Sequence, residues 1–334
     1  MKNFNGKQRG FSLVELMISI TLGLLILAAM ISLFSNQSKA RSELDKSNRM
    51  IDNGRFALEI LTDNIRAAGF YGSYIPGGTP ATLPEPCDVA LLTANNGDVL
   101  LDSVQGYNAA TVSSTIASLP ASCGFGYTTG IILKPGSDLL VLRRASTAAP
   151  VAAASAVASA LYLQVSNCTT DVSSYRIAAG TADFSTLRNK DCTTAASLRA
   201  FLVQTYFVAP DNKPGDGIPT LKRRELDAVS GTFVTTALVE GIEYLQVDYG
   251  LDADADGAAD SYLAAPALTD WPNIVSARIS VIARNVELSS GYTDSKIYML
   301  GSAGIFGPFN DAYKRHAYTQ VVRLVNPSAR REIS

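Results

Sequence analysis

The chain has 334 residues, is 47% hydrophobic and carries a formal net charge of −2, which is enough for a sizeable core in one or two domains. A balance this close to neutral offers no clustered basic face for nucleic acid. A single histidine, His316, leaves imidazole metal sites and Ser/His/Asp or Cys/His catalysis resting on one side chain. It stands beside Lys314 and Arg315 and reads as a surface residue. G-x-S-x-G, H-E-x-x-H and Walker sequences are missing. GFGYTTG (124–130) has the glycines of a phosphate loop but neither the strand before it nor the helix after it.

The first ten residues, MKNFNGKQRG, contain Lys2, Lys7 and Arg9 and no acid. A cationic flank ahead of an apolar run stays on the cytoplasmic side of a membrane. The run, Phe11–Phe34, is 24 residues, roughly 36 Å of helix against a hydrocarbon core of about 30 Å. A secretory signal places its small-residue cleavage site after the apolar region; here the candidate break, Gly10–Phe11, precedes it. A cut there removes the charges and keeps the membrane helix. Glu15 then lies inside that helix, where a carboxylate costs about 2.5–3.5 kcal/mol at mid-bilayer and less toward the edge. The same cut creates an α-amino group on Phe11, one turn before Glu15 and largely cationic at neutral pH. The amine of a neighbouring subunit could neutralise Glu15 inside a helix bundle; snorkelling of the carboxylate to the interface is the plainer alternative.

GFSLVELM resembles the prepilin (class III) signal of type IV pilins and of type II secretion pseudopilins. The resemblance implies a prepilin peptidase that cuts after Gly10 and methylates Phe11, and it makes Glu15 the assembly residue. On that reading residues 1–10 are the leader, 11–34 the membrane half of a long helix, 35–69 its amphipathic half and 70–334 a periplasmic head.

No proline occurs before Pro76, so nothing forces a break in a helix from about Phe11 to about Ala68. Gly23 and Gly54 are weak points, each costing up to about 1 kcal/mol relative to Ala. Leu44, Ile51, Leu58 and Ile65 recur every seven residues, with Leu61 and Ala68 beside them, and predict one apolar stripe packed on a head. Gly69 suits the helix C-terminus, and YGSYIPGGTP reads as loop.

Beyond it the pattern turns to strands: DLLVLRR (138–144), LYLQV (161–165), FLVQTYFV (201–208), IEYLQVDY (242–249), IVSARISVIAR (274–284) and TQVVRLV (319–325). In 274–284, Val275, Ala277, Ile279, Val281 and Ala283 alternate with Ser276, Arg278, Ser280 and Arg284, the pattern of a half-buried antiparallel strand. The alanine-rich 145–160 contains Pro150 and neither Leu nor Ile, so it reads as a loop between strands rather than a second span. The four cysteines, Cys87, Cys123, Cys168 and Cys192, all follow the apolar run and lack metal-ligand spacing, which points to two disulfides in an oxidising compartment. Of the three connectivities, shorter loops favour Cys87–Cys123 with Cys168–Cys192.

DADADGAAD (252–260) places Asp252, Asp254 and Asp256 in alternation, with Gly257 for a sharp turn and Asp260 at the ninth position. These match the first part of a calcium loop, although Leu263 stands where an EF-hand has its bidentate Glu. The sequence resembles the shorter DxDxDGxxD loops of extracellular proteins, and calcium is the expected cofactor; a solvated acidic turn is the alternative.

NGRFALEILTDNIRAAGFYG (53–72), GIEYLQVDYGLDADADGAADSY (241–262) and the closing VVRLVNPSARRE resemble the PilW family of minor pilins. The resemblance implies an α+β, pilin-like fold in which a long N-terminal transmembrane and amphipathic helix packs on a β-rich antiparallel head. It implies no enzymatic activity: a minor pilin that primes assembly of a type IV pilus or sits at its tip. The implied partners are other minor pilins and the major pilin, the prepilin peptidase, a tip adhesin and the inner membrane. A type II secretion pseudopilin is the runner-up, and a membrane-anchored periplasmic enzyme is the reading from another class.

Overall fold

A computed structural model describes residues 10, 12–94 and 98–332. The leader cations Lys2, Lys7 and Arg9 and the expected methylation site Phe11 lie outside the described residues. The chain divides into two compact units, 1–48 and 49–334, and one helix, Leu13–Ala67, runs from the first into the second. Gly69 ends it. Its φ of +73° is left-handed, its N–H donates to the Arg143 carbonyl at 2.9 Å, and a Cβ there would lie 3.1 Å from Ser103 Cβ. Glycine meets both the conformational and the steric demand.

The residues of this helix buried in the second unit are Met50, Gly54, Ala57, Leu58, Leu61, Thr62 and Ile65. Their spacing follows the 3.6-residue period of a straight helix rather than the expected seven-residue stripe. A strict heptad drifts by about 20° per repeat on such a helix, so over three repeats from Ile65 the stripe swings off the buried face. Ile51 is accordingly half-buried, and Leu44 is 65% exposed.

Two antiparallel sheets form the bulk of the head, beside two two-stranded pairs. The seven-stranded sheet runs Val104–Tyr107, Leu139–Ala145, Leu198–Ala209, Leu161–Val165, Tyr175–Ala179, and a hairpin of Thr220–Leu226 and Phe233–Glu240 joins the C-terminal half of Leu198–Ala209. The second sheet orders Ser261–Leu263, Ile242–Leu251, Ile274–Arg284 and Arg315–Arg323. The segment expected as a strand over 319–325 is split: its strand ends at Arg323, and Val325–Arg331 is a helix, with Pro327 in the first turn, where a missing N–H costs nothing.

One core serves both sheets. Leu58, Leu61 and Ile65 pack with Leu140, Leu142, Tyr206 and Val208 of the first sheet and with Leu245, Val247, Ala277 and Ile279 of the second. Ile274–Arg284 is not half-buried as its alternation suggests. A bulge at its start puts Ile274 rather than Val275 in the main core. Its far face is covered as well, since Ile282 packs with Tyr298, Leu300 and Phe306 of a small hairpin. Polar residues on that face are consumed internally. Arg315, with 1% of its side chain exposed, reaches Glu243 (2.6 Å), Asp294 (3.1 Å) and Asp311 (2.6 Å).

At Gly54 the helix and the second sheet come into close contact. A Cβ there would stand 2.3 Å from the Tyr318 ring. Gly54→Ala gains up to about 1 kcal/mol of helix propensity, but overpacking costs about 1–3 kcal/mol. The variant should therefore melt a few degrees lower in detergent-solubilised chain, and Tyr318→Ala should relieve the effect. Gly23→Ala, with nothing within 4 Å of the new Cβ, should not lower the melting temperature.

Candidate assembly and metal sites

At the N-terminus the helix begins on a local device. Ser12 N–H donates to Glu15 Oε2 at 3.0 Å, and Val14 N–H reaches Ser12 Oγ at 3.4 Å. Ser12-Leu13-Val14-Glu15 thus has the S-x-x-E spacing of a capping box, with the Glu15 carboxylate taking the Ser12 N–H and the Ser12 hydroxyl taking the Val14 N–H. Ser12 was not singled out from the sequence, although the S-x-x-E spacing ahead of an apolar run is the signal that finds it. Among the described residues no cation pairs with Glu15. Downstream, Leu13 (74%), Leu25 (68%) and Phe34 (75%) are largely exposed, and this helix is long and apolar enough to cross a membrane. Apolar surface of that extent needs a non-aqueous surrounding.

The acidic loop follows the Ile242–Leu251 strand. Asp252 is fully buried. Its Oδ1 accepts from Ala255 N–H (2.7 Å) and its Oδ2 from Gly257 N–H (3.0 Å) and Arg331 Nε (2.6 Å). Asp260 Oδ2 accepts from Ala253 N–H at 2.7 Å, and Asp256 Oδ1 from Ala258 N–H at 2.7 Å. Gly257, at φ +83°, is the turn residue expected from the sequence. A Cβ there would meet Glu332 Cγ at 2.4 Å and Ser328 O at 3.0 Å, so the turn presses on the C-terminal helix. Ligand atoms of Asp252, Asp254 and Asp260 lie within 4.8 Å of one another; the group does not take in Asp256. Three of the four expected ligands therefore converge.

Arg331 is the residue the sequence did not link to this loop. It sits 79 positions away and binds Asp252 through both the carboxylate and the carbonyl. Burial pushes the Asp252 carboxyl up, but Arg331 and the Gly257 and Ala255 amides outweigh it and hold the group below the ordinary carboxylate range. A depressed carboxyl adds stability that is present above its unfolded value and lost as the pH falls through the folded one.

Cys87 pairs with Cys123 and Cys168 with Cys192, at Cα separations of 5.0 and 5.1 Å. The first anchors the segment between helix and sheet. The second closes a loop in which Arg188 also holds Asp171 at 2.7 Å. His316 is exposed, its ring edge-on to Tyr318 at 4.6 Å, and takes no part in a site.

Comparison with known proteins bears on both ends of the chain. The prokaryotic N-terminal methylation motif matches residues 5–31, the stretch that holds Gly10, Ser12 and Glu15. The family described as Type IV Pilus-assembly protein W matches residues 205–326, which takes in the second sheet and the acidic loop. The chain thus carries a PilW domain behind an N-terminal methylation motif. No curated protein matches it. Among solved structures, a type IV-like pilin from Thermus thermophilus is similar over 84% of this chain and 97% of its own, at 10% identity and a TM-score of 0.34. That superposition is loose, and the fold assignment rests on the helix and sheets themselves. With a PilW domain, this motif and this long apolar helix, the chain is a membrane-anchored, type IV pilin-like protein.

Removing Arg331 leaves Asp252 buried without its cation, a loss on the order of 3 kcal/mol. Arg331→Ala should accordingly lower the melting temperature at pH 7. The gap should close as the pH falls below about 4, where protonation removes the stranded charge. A gap that persists unchanged at pH 3 would assign the effect to lost packing.

Proposed function

We propose that the chain is a minor pilin, cut by prepilin peptidase between Gly10 and Phe11, methylated on Phe11, and used to prime a type IV pilus or to occupy its tip. The observation that carries this reading is the register at the N-terminus. The basic leader, Gly10, the S-x-x-E cap and the uninterrupted apolar helix follow one another so that one cut yields a helix end with Glu15 one turn inside it. The leader cations favour a cytoplasmic N-terminus, and the two disulfides favour an oxidising compartment, the periplasm, for the head. We read the chain as a structural subunit that works through other minor pilins, the major pilin and a tip adhesin, and we assign it no reaction.

Glu15 carries the test. In the single chain its carboxylate caps Ser12; in a bundle the methylated amine of a neighbouring subunit supplies the cation that this chain's described residues do not. Glu15→Leu should insert in the membrane at least as well, because the cost of burying a charge is gone, yet support about tenfold fewer pili. Glu15→Gln, which can still accept from Ser12 N–H, should fail equally if pairing is the role. Full piliation by both variants would leave capping as the residue's whole contribution.

For the acidic loop we propose calcium, held by Asp252, Asp254 and Asp260, with Asp256 outside the ligand set. Arg331 neutralises one of the three convergent carboxylates, and a divalent cation matches the remaining charge with the hard oxygen ligands it prefers. A site with few acidic ligands can be as weak as about 10⁻⁴–10⁻³ M and still fill outside the cell. The chain should melt higher in millimolar calcium than in chelator, with Asp254→Ala abolishing the difference and magnesium doing less. Equal melting temperatures would make the loop a plain acidic turn clamped by Arg331.

A further inference from the structure

A groove of about 400 Å³ opens between the residues that follow the long helix and the C-terminal helix Val325–Arg331. The first segment supplies Tyr71, Tyr74 and Ile75 to its lining, and the helix supplies Asn326, Ala329 and Arg330. Two hydrogen bonds join the helix to the end of the long helix: Asn326 Nδ2 donates to the Ala68 carbonyl and Arg330 Nη1 to the Gly69 carbonyl, both at 3.0 Å. The lining is therefore held in place from within the head.

Arg330 is half-buried, and among the described residues its guanidinium meets no carboxylate. Burial lowers its pKa, and the Tyr71 phenol is the titratable group that works against that cost. Other partly buried arginines of the head are matched with acids: Arg331 holds Asp252, Arg278 holds Asp248 and Arg188 holds Asp171. Tyr71 is 1% exposed, and its hydroxyl has no hydrogen-bond partner among the described residues. Arg199, whose Nε lies 3.9 Å from the Cβ that a side chain at Gly72 would add, bonds to the Ser146 and Ala148 carbonyls (3.1 and 2.7 Å) and likewise to no carboxylate. The field around Gly72 is positive, which draws an anion toward the groove.

We propose that this groove binds a small apolar monocarboxylate, with the carboxylate on Arg330 and the hydrocarbon or aromatic body against Tyr74, Ile75 and Ala329. A guanidinium offers a planar fork of donors that a carboxylate accepts, and Arg330 spends Nη1 on Gly69. One half-buried cation balances one negative charge. A phosphate ester, at about −1.5 to −2, would carry excess charge into a mostly apolar groove. The volume, and the mix of aromatic and aliphatic walls with a few polar groups, are those of a small-ligand site. A protein partner fits less well, because an interface takes about 800 Å² from each side. Here Ile75, at 70%, is the largely exposed apolar residue of the lining, while Tyr71 is buried and Tyr74 and Ala329 are half-buried. Recognition of this kind needs no filament, so the proposal stands apart from the pilus reading.

Radiolabelled 3-phenylpropionate is dialysed to equilibrium against the full-length chain in detergent, with detergent alone as the blank. The expected result is one acid bound per chain, half-saturated at or below about 1 mM, with 3-phenylpropanamide at least about tenfold weaker as a competitor. Arg330→Gln keeps a donor for the Gly69 carbonyl and should weaken binding of the acid at least about tenfold. Ala329→Leu fills the groove and leaves the charge in place, and it should weaken binding as much while the melting temperature stays within a few degrees of wild type. No saturable binding up to about 10 mM overturns the proposal, as does binding that both variants retain. An amide that competes as well as the acid also overturns it, because the charge is then idle. Inorganic phosphate that displaces the acid at equal concentration overturns the choice of a monocarboxylate. Acetyl-Phe-Asp-amide that binds at least about tenfold tighter than the acid overturns the choice of a small ligand in favour of a protein segment.

Discussion

The head depends on burying one helix face beneath two sheets at once. Leu58, Leu61 and Ile65 are almost fully enclosed, and each contributes about 1.5–3 kcal/mol by leaving water. Neither sheet can supply the whole cavity: Tyr206 and Val208 close it from one side, Ala277 and Ile279 from the other. The sheets are tied where they meet that core. Asp138 N–H donates to the Leu245 carbonyl at 2.8 Å and its Oδ2 accepts from Val247 N–H at 2.9 Å, while Leu245 N–H reaches Ser137 Oγ at 2.9 Å. Close approach then dictates the glycines: Gly54 admits the Tyr318 ring, and Gly69 admits Ser103 and Pro327 as the chain leaves the helix.

The same helix answers to a second solvent. Its first half carries apolar side chains on all sides and its second half on one side, so the composition changes from what lipid requires to what a protein core requires. The capping box at Ser12 and Glu15 sits at the end where backbone N–H groups would otherwise face hydrocarbon without partners, and a glutamate there satisfies one of them. This gives Glu15 a use in the single chain beside the one proposed for it in an assembly. Substituting it by Leu removes both uses, and by Gln chiefly the charge.

Much of this was legible in the sequence, for physical reasons that differ by element. The long helix was readable because nothing in it breaks a helix, and its end because Gly69 has a conformational signature. Leu44 was misassigned because a seven-residue count and a 3.6-residue helix part company over the three repeats from Ile65 back to Leu44. LYLQV and IVSARISVIAR were bounded correctly as strands, but burial of the second on both faces was hidden. Arg278, Ser280 and Arg284 look solvent-facing until the fold brings Asp248, Thr319 and Glu243 to that side. The Thr220–Leu226 strand escaped notice because KRRE reads as a solvated charge run, whereas Leu221 packs in the core and Gln204 meets Glu225 across the ladder. In the acidic loop the turn and the aspartates could be read locally. The clamp from Arg331 could not, since no local pattern joins residues 79 positions apart.

In the proposed function a single cut turns this chain from a membrane protein with a charged leader into a filament subunit whose helix begins one turn before Glu15. Intact-mass and N-terminal peptide measurement of the chain purified from its native membrane tests this most directly. The account predicts one mature species that starts at Phe11 and carries one methyl group on its α-amine, with the leader retained when Gly10 is replaced by a bulky residue. A mature chain that keeps residues 1–10, or that begins beyond the apolar helix, would contradict it.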